Sequence, residues 1–225
     1  MTVLHLADET EAADLAAFLS RLLHYDRGAA VRLQAAGTAL AVFGRPPSFE
    51  VLAVRAVRLA KPYEDGLDVT LDMTVSAGEF LESVSERAAT AAVPGAVTGP
   101  PWAGVLPPRG GWRPVPGLPA PDVLRATVSA AVSEFRSRTA GLAPEARTRA
   151  ELDAIGRDIW SREIAATGLP VRAVHAAQSL GFLRPGTTEA GTGLFTSGAW
   201  LRLRTPYGSV AVRRAGLGTL GVTVR

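Results

Sequence analysis

The residues best suited to chemistry lie near the C-terminus, in "AWLRLRT" (199–205) and "SVAVRR" (209–214). If Leu201 and Leu203 face a core, Trp200, Arg202 and Arg204 share the opposite face of the strand. In the second segment Val210 and Val212 face in and Arg213 faces out, with Arg214 next to it in the chain. Arg225 joins the outer set if Val222 and Val224 face in. Guanidinium forks beside an aromatic ring are what phosphates and unstacked bases require. Arg172, on a helix ahead of these strands, adds a further basic group. The candidate contacts to nucleic acid or another partner are therefore Arg172, Trp200, Arg202, Arg204, Arg213 and Arg214. The competing reading is a solvated sheet face in an arginine-rich chain, since Lys61 is the only lysine.

The other constellations carry less. "GLGTLG" (216–221) matches G-x-G-x-x-G, but a dinucleotide fingerprint needs a helix at its last glycine. Only Val222 to Arg225 follow, and they read as a strand, so a turn is expected. His5, His24 and His175 lie far apart, outside any zinc-ligand spacing. "HYDRG" (24–28) places a possible base beside Tyr25 and Asp26, although a helix terminus explains the cluster equally well. Asp68 and Asp72 share one strand face about 13 Å apart, beyond the ~5–9.5 Å of paired glycosidase carboxylates. No G-x-S-x-G elbow occurs. The absence of cysteine excludes disulfides, thiolate metal sites and a cysteine nucleophile. No catalytic residue, cofactor or metal is assigned, and an enzyme of unrecognised type around His24, Tyr25 and Asp26 is the least favoured reading.

The elements that would position these residues follow from periodicity. Residues 3–6 read as a short strand and residues 10–24 as a helix, with Leu15, Phe18, Leu19 and Leu22 on one stripe and Thr10 as its cap. "AVRLQAAGTALAVFG" alternates around Ala36-Gly37 and reads as a hairpin. "FEVLAVRAVRLA" is a long strand whose alternation slips near Val54-Arg55-Ala56, which predicts a bulge or bend. "DVTLDMTV" is a regular strand, and Ser76-x-x-Glu79 is a capping box opening a helix through about Ala88. After residue 121 come a helix with Leu124, Val128, Ala131, Val132 and Phe135 on one face, a capped helix at 148–166, and a third from Pro170. Strands at 199–205 and 209–214 and a final strand end the chain, with a turn at Pro206-Tyr207-Gly208 between the first two.

This gives an α+β fold. Residues 1–96 form a module of antiparallel strands with two helices. Residues 122–225 form three helices and a small antiparallel sheet. Between them, residues 97–121 form a Pro/Gly-rich strap holding Trp102 and Trp112. A free linker would leave those rings in water, so the strap is expected to dock on a folded surface. Its proline content limits the entropy lost on docking.

The helix pair at 148–181 followed by a hairpin resembles a winged helix, which implies that the second helix enters the major groove. The order of elements in the first module, with its helix at "TVSAGEFLESV", looks like one repeat of a DNA sliding clamp; no further copy is present. The segments "PPWAGVLPPRGGWRPVPGLP", "AVFGRPP" and "TPYGSVAVRR" resemble uncharacterised proteins of actinobacteria, a likeness that implies no activity. Nearly half of the residues are apolar and about a fifth are charged, enough to bury a core. No apolar run approaches the roughly 20 residues of a membrane span, and no basic n-region opens the chain. The expectation is a cytoplasmic, non-enzymatic protein that binds a macromolecule, nucleic acid before protein. A protein-interaction or assembly module, such as a homodimer, is the alternative.

Overall fold

A computed structural model describes residues 2–60 and 71–214. The strand Val3–His5 (β1) leads into the helix Glu9–Tyr25 (α1). The strands Ala30–Ala36 (β2), Ala39–Gly44 (β3), Leu52–Arg58 (β4) and Asp72–Ser76 (β5) follow, then a short helix, Ala77–Glu82 (α2). Val84–Ser85 (β6) and Thr90–Ala92 (β7) join β1 in a small sheet of order β1-β7-β6. The strap then leads to Arg113–Val115 (β8) and the helices Pro121–Ala140 (α3), Arg149–Trp160 (α4) and Val171–Ser179 (α5). Gly193–Ser197 (β9), Trp200–Thr205 (β10) and Gly208–Arg213 (β11) close the described chain.

One antiparallel sheet of eight strands runs through both modules, in the order β5-β2-β3-β4-β11-β10-β9-β8. The seam is the pairing of β4 with β11, where Val54 lies opposite Ser209 and Leu52 opposite Ala211. The helices α1, α2 and α5 pack on this sheet, α3 and α4 pack on α5, and their apolar faces share one core with the sheet's inner face. The α1 stripe sinks into it, with Leu15, Phe18, Leu19 and Leu22 all buried. Leu124 and Val128 of α3 and Val174 and Ala177 of α5 belong to the same cluster. The fold is mixed α+β with antiparallel sheets, as the alternating segments predict.

The expected bulge in β4 does not exist. Its ladder to β3 is regular from Ala39↔Arg58 to Gly44↔Ala53. Arg55 simply occupies an inward position and is buried. Its guanidinium donates to Glu11 at 2.8 Å and to the Tyr207 carbonyl at 2.8 Å, and stands 3.3 Å from Asp14. Arg58 also pairs with Glu11, and Arg184 with Asp14, each at 2.8 Å. Arg184 lies over the Tyr207 ring, 4.1 Å from its centroid. A charged cluster thus joins α1 and β4 to the β10–β11 turn, across the seam.

Several boundaries differ from the sequence reading. Asp8, not Thr10, caps α1 by accepting the Glu11 N–H at 2.9 Å. The helix α2 stops at Glu82, because Val84 and Ser85 pair with β7 instead. The helix α4 ends at Trp160; Ala165 and Ala166 take positive φ, and the Ile164 N–H donates to the Leu169 carbonyl. The winged-helix expectation fails. No residue of α5 is exposed, since the helix is packed between α3, α4 and β11 and cannot enter a groove. The hairpin β10–β11 is interior to the large sheet rather than a free wing.

A second contact across the seam comes from the loop after β3. Phe49 is buried, with its ring 5.3 Å from that of Tyr25 and 5.1 Å from that of His175. Its neighbours Ser48 and Glu50 have φ of 71° and 52°. Left-handed backbone costs a non-glycine residue about 1–2 kcal/mol. Burial of a Phe side chain returns about 1.5–3 kcal/mol and holds the loop in place.

Candidate functional site

The outer side of the sheet carries the strap. The Val97 N–H donates to the Thr74 carbonyl at 2.9 Å, and Gly99 lies so close to Thr74 that a side chain there would crowd it. Pro100 and Pro101 set the backbone of a single 3-10 turn, Pro101–Gly104, which lowers Trp102 onto Phe43, Leu52 and Val54. Leu106 completes this small outer cluster. Further on, Ser197 donates to the Gly110 carbonyl at 3.2 Å, and the Trp112 indole N–H donates to the Pro108 carbonyl at 3.0 Å. Both tryptophans are half-buried. The strap is docked, and the aromatic rings are the means.

The predicted strand alternation holds beside it. Leu201, Leu203, Val210 and Val212 are buried toward the helices. Trp200, Arg202 and Arg204 lie opposite Arg213, Ala211 and Ser209, so all six share the outer face. The strap divides them between two recesses. In the first, of about 650 Å³, Arg202 and Arg204 meet Trp112, Phe195, Thr205 and Ser209. In the second, of about 430 Å³, Trp200 and Arg213 meet Trp102, Arg45, Glu50 and Arg172. The Arg213 guanidinium stands 5.8 Å from the centre of the Trp200 ring, within cation–π range.

Arg202 is the most constrained of these groups. Its Nε donates to Ser209 Oγ at 2.9 Å, and its guanidinium lies 5.6 Å from the centre of the Trp112 ring. Burial, and then the like charge of Arg204, shifts its proton affinity below that of an ordinary guanidinium. Among the described residues, no carboxylate lies within ion-pair distance of Arg202, Arg204 or Arg213. By contrast Arg55, Arg58 and Arg184 are paired with Glu11 and Asp14, and Arg138 and Arg162 with Glu134 and Asp158.

Two of the six predicted residues stand apart. Arg172 is tied to Glu50 at 3.6 Å and reaches the outer face only at the rim of the second recess. Arg214 falls on the helix side of the sheet. Its guanidinium bonds Thr196 Oγ1, and Thr196 lies opposite the inward-facing Leu201. Arg45, which the sequence did not mark, joins the second recess from the loop after β3. Its signal was its place beside two prolines, which forces the chain to turn at the sheet's rim. Arg225 and the glycine run 216–221 lie outside the described residues, as does Asp68.

The remaining candidates are structural. Asp26 accepts the Gly28 N–H at 2.9 Å and closes the end of α1. His24 packs edge-on against Tyr25. His175 stacks on Trp160, with ring centres 4.8 Å apart, and burial lowers its pKa below the usual histidine value. Asp72 is held by Arg32 at 2.8 Å. Among the described residues there is no group of three or more His, Asp or Glu placed to hold a metal ion. No helix there is long and apolar enough to cross a membrane.

Residues 1–104 match the family described as a domain of unknown function, DUF8010, and residues 107–217 match a second, DUF8185. Together the two domain models cover residues 1–104 and 107–217, consistent with an uncharacterised family. No curated protein and no solved structure matches it. The boundary between DUF8010 and DUF8185 falls within the strap, so Trp102 is contributed by the first and Trp112 by the second. The outer face is therefore built jointly. DUF8010 supplies β4, Trp102 and Arg45, and DUF8185 supplies Trp112 and the arginine-bearing strands β10 and β11.

Proposed function

We propose that this chain is a cytoplasmic, non-enzymatic protein that binds single-stranded nucleic acid on the strap-bearing face of its sheet. The observation that carries this reading is the set of unmatched guanidiniums, Arg202, Arg204 and Arg213, beside Trp112 and Trp200. What distinguishes these three is their place beside indole rings in concave recesses, where an anion from outside can meet them. Guanidinium and indole together suit a strand that offers phosphates and unstacked bases in alternation. Concave recesses of about 650 and 430 Å³ fit splayed nucleotides better than the convex wall of a duplex. The burial of α5 removes the recognition helix that a winged helix would lay in a major groove, which further favours the single strand.

The test is fluorescence anisotropy with a labelled deoxythymidine oligonucleotide at low salt, with polyglutamate as a competitor. Saturable binding that polyglutamate displaces weakly, and that R202A/R204A/R213A abolishes, supports the reading. Displacement by polyglutamate at equal charge concentration would reduce the face to a bare cationic patch and overturn it. An anisotropy unchanged at every protein concentration would do the same.

A further inference from the structure

Resting on that reading, and narrowing it, we infer that the recess between Trp112 and the β10–β11 turn is a phosphate subsite that takes the phosphate monoester of a nucleotide-sized ligand between Arg202 and Arg204.

Arg202 and Arg204 are two positions apart on β10, so their Cα atoms stand about 6.6 Å apart on the same face. Side chains of this length converge readily on one tetrahedral anion. Arg202 is already oriented. Its Nε is engaged by Ser209 Oγ, and its guanidinium carbon lies over the Trp112 ring. The indole in turn is anchored by its N–H to the Pro108 carbonyl. What remains are the two terminal nitrogens of Arg202, Nη1 and Nη2, for which the described residues supply no acceptor. The Arg204 guanidinium is exposed and has no carboxylate beside it among the described residues. Two like charges, one of them desolvated, repel when the recess is empty. A doubly charged phosphate would convert that repulsion into two charge-assisted pairs.

The rest of the recess sets the size of the ligand. The Thr205 hydroxyl is spent on the Gly208 carbonyl, at 3.1 Å, and adds no further polar reach. Val54, Ala56, Phe195 and Pro206 supply apolar wall. A volume of about 650 Å³ is larger than an inorganic ion requires and lies within the ~300–1,000 Å³ usual for organic ligands. The anion is held at one side, and the apolar wall takes the organic part.

The experiment is isothermal titration calorimetry of the full chain with thymidine 5′-monophosphate, inorganic phosphate and thymidine. It is run on the wild type, R202Q, R204Q and, as a control, R149Q on the far helical surface. The expected result is saturable binding of the monophosphate, weaker binding of inorganic phosphate and no heat from thymidine. R202Q and R204Q should each weaken the monophosphate about ten-fold or more, and R149Q should not. Arg204 is exposed, so R204Q serves if R202Q fails to fold. Thymidine binding as well as its monophosphate, or monophosphate affinity unchanged in R204Q, would overturn the subsite. Monophosphate binding without any affinity for the oligonucleotide would leave the subsite standing and remove the polymer reading. Oligonucleotide binding that R202Q and R204Q leave intact would do the reverse.

Discussion

Replacing Arg55 with glutamine strikes the charged cluster that ties the two halves of the sheet together. Arg55 and Glu11 are both buried, with side-chain exposures of 7% and 11%. The substitution removes the 2.8 Å bond to Glu11, the 3.3 Å pairing with Asp14 and the bond to the Tyr207 carbonyl. Breaking a buried pair typically costs 3–5 kcal/mol, because the surviving charge is left uncompensated. Here the survivors keep one partner each, since Arg58 remains on Glu11 and Arg184 on Asp14. The cost therefore sits at the low end, about 3 kcal/mol. For a chain of this length that lowers Tm by about 6–12 °C. Arg58→Gln provides the comparison. Arg58 is 70% exposed, where water screens the pair, so its Tm shift should be much the smaller of the two. Thermal melts followed by circular dichroism, with urea titrations for the free energies, measure both. Arg55→Gln no more destabilising than Arg58→Gln would show that the cluster is not what holds the seam.

Two further substitutions probe the strap and the aromatic contact across the seam. Trp102→Ala removes a half-buried ring from Phe43, Leu52 and Val54. It should cost roughly 2 kcal/mol, below the 3–5 of a fully buried Trp, and should expose residues 97–112 to rapid proteolysis. Cleavage there at the wild-type rate would count against docking through this ring. His175 is kept neutral by burial against Trp160 and Phe49, so its folded pKa lies below its unfolded value of about 6.5. The unfolded chain then binds a proton that the folded chain resists. The stability contributed by the neutral ring is complete above pH ~6.5 and is lost as pH falls through the lowered folded pKa. In urea titrations His175→Phe should therefore show a shallower loss of stability than wild type between about pH 7 and 5; parallel slopes would refute this role.

Local order was legible in the residue pattern and long-range pairing was not. The caps Ser76 and Thr148 form as the spacing predicts, accepting the Glu79 and Glu151 N–H at 3.3 and 3.2 Å. The alternation of Leu201 and Leu203 against Arg202 and Arg204 fixed which residues face outward, because a strand has only two sides. It could not say that β11 pairs with β4, more than 150 residues earlier in the chain. The signal lay in β4 itself. Leu52, Ala53, Val54 and Arg55 are buried consecutively, since the helices cover one face and the strap the other. A strand covered on both faces loses its alternation, and that loss reads from sequence as a bulge. Arg55 deepened the misreading, because a charge in a strand suggests an outward face unless its carboxylates are known. Glu11 and Asp14 sit one helical turn apart on α1, but nothing local links them to β4. For the same reason Arg202 and Arg213 read as one patch and proved to be two recesses. The strap that separates them was visible as a docked segment, but its path was not.

The central claim, that unmatched arginines on the strap-bearing face hold a nucleic-acid backbone, is tested most directly by the salt dependence of oligonucleotide binding. If Arg45, Arg202, Arg204 and Arg213 each neutralise one phosphate, log K should fall with log salt at a slope of about −2.8. That corresponds to roughly a fifty-fold loss of affinity between about 50 and 200 mM salt. Removing Arg204 should make the slope shallower by about 0.7. A slope near zero, or one that Arg204→Gln does not change, would contradict the account.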